Sequence, residues 1–127
     1  MELPEDLRYS DKHEWVRLSG DLARVGITDY AQDALGDIVY VEVVDTGTEL
    51  AYDQALGEVE STKSVSDVYA PVAGTVVEIN ESLGDAPELL NSDPYGDGWI
   101  AVIRLAEGAD MGTLMSAAEY AALTEGE

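Results

Sequence analysis

Short alternating segments, ended by glycine, proline or polar turn residues, run through most of this chain and constrain its fold more than any other feature. Alternation of apolar and polar residues over about four to eight positions is typical of strands with one buried face. Many short strands with few helices predict a mainly β protein, a sandwich or barrel with helical additions. The predicted strands cover residues 13–18, 22–27, 37–43, 55–60, 65–69, 74–79 and 99–105.

Two helices are predicted from their terminal residues. Thr28 is a suitable N-cap for a short helix over residues 28–35, and Gly36 follows as its end. Ser116 and Glu119 match a capping box, in which each residue bonds the backbone N–H of the other. The sequence therefore also predicts a C-terminal helix.

The composition is that of a folded but very acidic protein. The chain has 27 acidic and 6 basic residues, a formal net charge of -21, and an apolar share of 46%. Disordered chains lack so many apolar side chains, and no linker divides the sequence, so we expect residues 1–127 to form one domain. Such a negative surface excludes nucleic acid as a partner and disfavours an anionic membrane.

The charge also suggests a salt-rich cytoplasm. High salt screens the self-repulsion of an acidic protein within a few ångströms. Lysine is depleted even against arginine, at two to four. The chain has no cysteine, which fits a reducing compartment, and no apolar run long enough to cross a bilayer. The acidic start does not resemble a signal peptide, so we expect a cytoplasmic protein from a halophile.

Few residues here could support catalysis. There is no cysteine nucleophile, and His13 is the single base of suitable pKa. Residues 96–101 fit a dinucleotide-binding pattern, but their glycines precede a strand instead of opening a helix, so we interpret them as a turn. No calcium-loop spacing occurs. The sequence predicts no catalytic residue and no metal site, although a hydrolase with paired carboxylates stays an alternative.

Lys63 is one of two lysines and lies in a turn between two predicted strands. A nucleophilic lysine must be neutral, which requires burial or neighbouring positive charge. Its neighbours Glu58, Glu60 and Asp67 are acidic and favour the ammonium form. A Schiff-base role is therefore disfavoured, and the lysine is either incidental or a point of attachment.

The surroundings of Lys63 resemble the lipoyl-attachment pattern. Gly47 lies 16 residues before it and Gly74 lies 11 residues after it, with apolar positions between. Residues 60–64, Glu-Ser-Thr-Lys-Ser, are similar to the H proteins of the glycine cleavage system more than to other lipoyl domains. Further similar segments occur in order at residues 7–9, 13–16, 25–32, 35–39, 69–74 and 91–99.

The resemblance implies a fold and a cofactor. The fold is a lipoyl/biotinyl-like barrel-sandwich hybrid of two antiparallel sheets, with short helices and a C-terminal helix. Lipoate would be joined to Lys63 through an amide. Glu60 and Gly74 match positions that help attaching enzymes recognise the correct lysine, although hairpin and turn geometry explains them equally well. The chain would be a single lipoyl-carrier domain and not an enzyme.

The resemblance also implies a cleft for the loaded arm. Glu14 and Asp67 match positions that hydrogen-bond the amine of the aminomethyl group. Two solvated carboxylates among 27 acidic residues are the alternative. Lys12 stands where relatives often have a small polar residue, and a cation there would weaken attraction for the amine.

The implied partners are four. They are a pyridoxal-phosphate glycine decarboxylase, a tetrahydrofolate-dependent aminomethyltransferase, a flavin (FAD) dihydrolipoyl dehydrogenase and the lipoate-attaching enzymes. The carrier would pass an aminomethyl group between the first two and electrons to the third. A lipoate relay to other dehydrogenases, or a role in sulfur oxidation, is the alternative within the carrier class.

Overall fold

Two antiparallel sheets form the framework of the protein. The computed structural model describes residues 2–109 and 111–126. The strands are β1 (Arg8–Tyr9), β2 (Glu14–Ser19), β3 (Leu22–Ile27), β4 (Ile38–Val43), β5 (Glu49–Leu50), β6 (Ala55–Ser61), β7 (Val65–Tyr69), β8 (Gly74–Ile79) and β9 (Ala101–Leu105). One sheet has the order β1-β2-β3-β9-β8-β5 and the other the order β4-β6-β7. The predicted mainly β class is confirmed.

Four short helices complete the described part of the chain. They are α1 (Asp29–Leu35), α2 (Ser82–Asp85), α3 (Leu89–Ser92) and α4 (Ala117–Glu125). Thr28 caps α1 by accepting a hydrogen bond from the N–H of Ala31, and the capping box of α4 is formed, so both predicted helix starts are confirmed. None of the described helices has the length and apolar character that a membrane span requires.

Apolar side chains of both sheets meet in one core. Alternation along the strands buries Val25, Val59, Val76 and Ile103, each with an exposed fraction of at most 1%. A second cluster contains Tyr9, Trp15 and Tyr120, so it joins β1 and β2 to the C-terminal helix α4. Tyr9 and Tyr120 stack with ring centroids 5.0 Å apart. This cluster fixes α4 against the six-stranded sheet.

Several strand boundaries differ from the sequence prediction by one or two residues, at both ends of β2, the starts of β4 and β9 and the end of β6. Two of these differences have a clear cause. The strand predicted to start at His13 starts at Glu14, because His13 has a φ of 72°, which strand pairing does not allow. The strand predicted from residue 99 begins at Ala101, because the Trp99 carbonyl accepts a hydrogen bond from the Asn80 side chain (2.7 Å) instead of joining the ladder.

Four elements were not predicted. Strands β1 and β5 have two residues each, and helices α2 and α3 have four residues each. Segments this short contain less than one full period of either pattern, so periodicity cannot detect them. The glycines near residue 97 lie in a turn before β9, as the sequence predicted.

Candidate functional site: a lysine hairpin beside a narrow cleft

The β6–β7 hairpin carries Lys63 in its turn. The Ser61 hydroxyl accepts hydrogen bonds from the backbone N–H groups of Lys63 (3.3 Å) and Ser64 (3.1 Å). The Ser61 N–H in turn donates to the Ser64 carbonyl (2.8 Å), and the Thr62 N–H donates to the carbonyl of Asp37 (3.0 Å). The turn is therefore held by its own serine and by the segment before β4.

The Lys63 side chain is exposed and lies against Gly36, the residue that ends α1. A Cβ added at Gly36 would come within 3.3 Å of Lys63 Cε. Gly36 also has a φ of 86°, in the left-handed region that favours glycine. The preceding residue, Leu35, lines the cleft described next. The aliphatic part of the Lys63 side chain thus lies beside Gly36, whose chain neighbour Leu35 lines the cleft.

A cleft of about 160 Å³ is lined mainly by α1, β7 and the turn before β2, with single residues of β2, β3 and β6. Its charged lining residues are Lys12, Glu14 and Asp67, so the two predicted arm-cleft carboxylates line the same cavity. Lys63 is not among its lining residues. The apolar lining consists of Ile27, Ala31, Ala34, Leu35, Val59 and Val68. The cleft combines a largely apolar wall with two acids and one cation.

Glu14 is buried, with an exposed fraction of 2%. Its Oε1 accepts a hydrogen bond from the Ser10 hydroxyl (2.6 Å), and its Oε2 accepts one from the backbone N–H of Tyr69 (3.2 Å). Burial disfavours the charged carboxylate and raises the pKa of Glu14 to about 7, while the bonds from Ser10 and Tyr69 act in the opposite direction. Asp67, by contrast, is exposed on β7.

Lys12 is paired with a residue that the sequence did not single out. Its Nζ lies 2.5 Å from Oδ2 of Asp53, and it lies 4.4 Å from the ring centroid of Tyr69. The hydrogen bond to Asp53 is the largest cause that raises the pKa of Lys12. From the sequence, Lys12 is expected to weaken the attraction of the cleft for an amine. Asp53 offsets the charge of Lys12. A separation of 41 residues left no local signal for this pair.

Helix α4 contacts elements that line the cleft through Tyr120. The Tyr120 hydroxyl lies 2.6 Å from Nδ1 of His13 and 2.7 Å from Oγ1 of Thr28, the N-cap of α1. The His13 ring also lies 4.7 Å from that of Tyr30, and both of these residues line the cleft. Tyr120 thus connects the turn before β2 to the N-cap of α1, two elements next to the cleft, a role that the sequence pattern did not indicate.

Glu60 and Gly74 lie in different sheets. Glu60 is exposed on β6, three residues before Lys63 in the chain. Gly74 is buried at the start of β8, and an added Cβ would collide with the backbone carbonyl oxygen of Arg104. The close approach of β8 to β9 is therefore a sufficient structural reason for this glycine.

Two antiparallel sheets with short helices make this chain a barrel-sandwich hybrid of the lipoyl/biotinyl-like type. The family profile described as "Glycine cleavage H-protein" matches residues 7–127. The chain is 54% identical over 119 residues to a protein of Haloarcula marismortui named "Probable glycine cleavage system H protein", covering 94% of each chain. It is 48% identical over 125 residues to the "Glycine cleavage system H protein" of Bacillus subtilis, covering 98% of each.

The fold comparison agrees. The crystal structure of a glycine cleavage system H protein from Mycobacterium marinum aligns with a TM-score of 0.88 and 40% sequence identity. The alignment covers 96% of this chain and 98% of that one. The chain belongs to the glycine cleavage H-protein family.

Proposed function

We propose that this chain is the lipoyl carrier of a glycine cleavage system, with lipoate amide-linked to Lys63. Family membership gives the role of a non-catalytic carrier component. The observation that carries the assignment to this residue is an exposed lysine held in a fixed turn, next to a helix end that lines a cleft. A preformed turn presents the amine to a modifying enzyme with little loss of conformational entropy.

The residues of the site fit this group. When bound, lipoate supplies a disulfide that takes up an aminomethyl group and an electron pair. The apolar cleft wall, with Ala31, Leu35 and Val68, suits the hydrocarbon part of an arm. Glu14 and Asp67 are proposed to hold a cationic amine at the cleft. Positive charge beside Glu14 favours its carboxylate form, and burial there limits access of water.

Lys12 and Asp53 belong to the same proposal. Lys12 would repel a cationic amine if its charge were unpaired, but its Nζ is bonded to Asp53 at the edge of the cleft. The pair leaves Glu14 and Asp67 as the carboxylates that face the amine. Lys12 is thereby compatible with the carrier role.

The partners follow from the glycine cleavage system. We propose transfer from a pyridoxal-phosphate glycine decarboxylase to a tetrahydrofolate-dependent aminomethyltransferase, with reoxidation by an FAD-dependent dihydrolipoyl dehydrogenase. The lipoate-attaching enzymes would contact Glu60, which is exposed beside the turn. Gly74 would act indirectly, by allowing the close approach of β8 to β9. Tethering of the arm raises its effective concentration at each of these enzymes.

We further propose a single carrier domain that works in the salt-rich cytoplasm of a halophile. The net charge of -21 and the similarity to the Haloarcula marismortui protein support a halophilic source. The long-range contacts of the core and of the Tyr9–Tyr120 cluster, which join early and late segments, support one domain.

Mass spectrometry of the protein from its native cells tests the assignment. We expect intact mass and peptide mapping to show one lipoyl group, on Lys63. The Lys63→Arg variant should fold normally, carry no lipoyl group and support no glycine decarboxylation above background in the assembled system. The matched variant Lys12→Arg should be modified like the wild type. Lipoate absent from native protein, or found on Lys12, would contradict the proposal.

A further inference from the structure

The outer face of the three-stranded sheet has two cross-strand rows next to the lysine turn. Residues paired in register across antiparallel strands point to the same side of a sheet. The six residues in these rows are all exposed, and we name them the tip face. The row nearer the turn is Tyr40, Glu60 and Val65, and the next row is Glu42, Glu58 and Asp67.

Two large apolar side chains stand exposed in the first row. Tyr40 has an exposed fraction of 52% and Val65 of 54%, and they lie on either side of Glu60. A β-bulge between Ile38 and Tyr40 leaves Val39 unpaired and 48% exposed as well. Strand β4 therefore presents two consecutive apolar residues to solvent, whereas regular alternation would bury one of them. Tyrosine is among the residues that most often anchor protein interfaces.

The second row places three carboxylates side by side. Glu42 pairs with Glu58, and Glu58 pairs with Asp67, so like charges lie directly opposite one another. Such pairs destabilise an isolated sheet. Strands β4, β6 and β7 contain no lysine or arginine that could offset them. A partner that supplies guanidinium groups would remove this repulsion and gain bidentate carboxylate contacts.

We propose that the tip face is the docking surface for the enzyme that acylates Lys63, and that this enzyme presents arginines around an apolar pocket for Tyr40. The inference rests on the proposed attachment of lipoate to Lys63. In the reaction, neutral Nζ attacks the carbonyl carbon of an activated acid. A carbon–nitrogen bond forms and the bond to the activating phosphate or thiol breaks. The amine proton passes to a base, without oxidation or reduction.

The short distance between the tip face and Lys63 favours the acylating enzyme as the partner. Rows on one face of a strand are about 7 Å apart along the strand, so both rows lie within about 20 Å of the turn. A patch of standard size, about 800 Å² on each partner, has a radius of about 16 Å, so an interface centred on Lys63 covers the first row and reaches the second. An enzyme that acts on the far end of a long arm can dock elsewhere, but one that acts on Nζ must approach the turn itself.

Modification kinetics of the unlipoylated full-length chain test the inference. The enzyme is the purified lipoate-attaching enzyme of the same organism, with lipoate and ATP, and the product is followed by intact mass. The variants are Tyr40→Ala and the double variant Glu42→Gln/Glu58→Gln. Their matched controls are Tyr52→Ala, a tyrosine with an exposed fraction of 45%, and Glu49→Gln/Glu78→Gln, two exposed acids of the other sheet.

We expect the two tip-face variants to raise KM about tenfold with little change in kcat, and the controls to stay within about twofold. The KM of the Glu42→Gln/Glu58→Gln variant should also depend less on salt than that of the wild type. Thermal melts confirm that each variant is folded. Should Tyr40→Ala melt early, Val65→Thr, of nearly equal volume, is used for the same comparison.

A binding measurement separates docking from chemistry. Lys63→Arg cannot be acylated, so calorimetry with the same enzyme gives Kd directly, and adding Tyr40→Ala should raise that Kd about tenfold. Equal KM and Kd for tip-face and control variants, with the wild type modified on Lys63, would overturn the docking inference alone. A wild type that is not modified on Lys63 would overturn the proposed function and the inference together.

Discussion

Oε2 of Glu14 accepts a hydrogen bond from the backbone N–H of Tyr69 at 3.2 Å, so a buried carboxyl group at the start of β2 joins the end of β7. These strands belong to different sheets. The same carboxyl group lines the cleft, and burial raises its pKa to about 7. Glu14 thus links the stability of the fold to the charge of the candidate site.

The first prediction concerns Glu14 and pH. Burial raises the pKa of Glu14 from its ordinary 4.5 to about 7, so the native state keeps a proton that the unfolded chain releases within this window. The contribution of Glu14 to stability is therefore full below pH 4.5 and is lost as pH rises to about 7. Glu14→Gln removes this titration. As pH rises from 4.5 to about 7, the free energy of unfolding of the wild type should therefore fall by about 3 kcal/mol relative to that of the variant.

Urea titrations of both proteins at constant high salt, from pH 4.5 to 8, measure this difference. The other carboxyl groups titrate in both proteins, so they cancel when the two curves are subtracted. Asp67→Asn, an exposed acid of the same cleft, is the matched control. Parallel stability curves for wild type and Glu14→Gln would show that Glu14 titrates at its ordinary pKa.

The second prediction concerns the pair of Lys12 and Asp53. Asp53→Asn leaves the Lys12 ammonium without its carboxylate partner at the edge of the cleft. The free cation should shorten the lifetime of an aminomethyl-loaded arm about two- to fivefold, because it repels the amine. Lys12→Ser in the same background should restore the lifetime. Release of ammonia from the loaded protein is the measurement, and equal release from wild type and Asp53→Asn would argue against a charge effect.

The third prediction separates the two explanations of Gly74. An added Cβ would collide with the Arg104 carbonyl, and neither backbone can move without disturbing the β8–β9 ladder. Gly74→Ala should therefore lower the free energy of unfolding by about 3 kcal/mol. Gly84→Ala, in α2 with open space around it, should change stability by at most about 1 kcal/mol.

Thermal melts of the two variants, followed by modification assays below their melting temperatures, distinguish the explanations. A folded Gly74→Ala protein that is modified at the normal rate fits a purely structural role. A Gly74→Ala protein as stable as the wild type, yet poorly modified, would instead support recognition by the attaching enzyme.

The fourth prediction concerns salt. With a net charge of -21, the folded protein should lose structure in dilute buffer, because self-repulsion between its carboxylates is then unscreened. Circular dichroism during dialysis from molar to millimolar KCl measures the transition. Sucrose, which strengthens apolar burial but does not screen charge, should not replace the salt. Equal unfolding free energies in dilute and concentrated KCl would refute the salt adaptation.

Local patterns carried most of the correct sequence predictions. The cap at Thr28, the end of α1 at Gly36 and the capping box of Ser116 depend on residues within one helical turn, and all three are formed. The hairpin around Lys63 depends on alternation along two neighbouring strands. Each of these signals can be read from a few consecutive residues.

The parts that were not predicted depend on contacts between distant residues. The Lys12–Asp53 pair and the hydrogen bond between His13 and Tyr120 join segments whose approach is decided only by the packing of the two sheets and α4. The left-handed backbone of His13, which shifts the start of β2, has no marker in the sequence such as glycine. Resemblance to a family placed Glu14 and Asp67 in one cleft, which composition and spacing alone did not do.

The hydroxyl of Tyr120 also has a consequence for biosynthesis. The β6–β7 hairpin consists of residues 55–69, which are synthesised before the residues of α4. The contacts of Tyr120 with His13 and Thr28, which connect the turn before β2 to the start of α1, cannot form until that helix has been made. A nascent chain therefore exposes the Lys63 turn before the neighbouring cleft has its final walls.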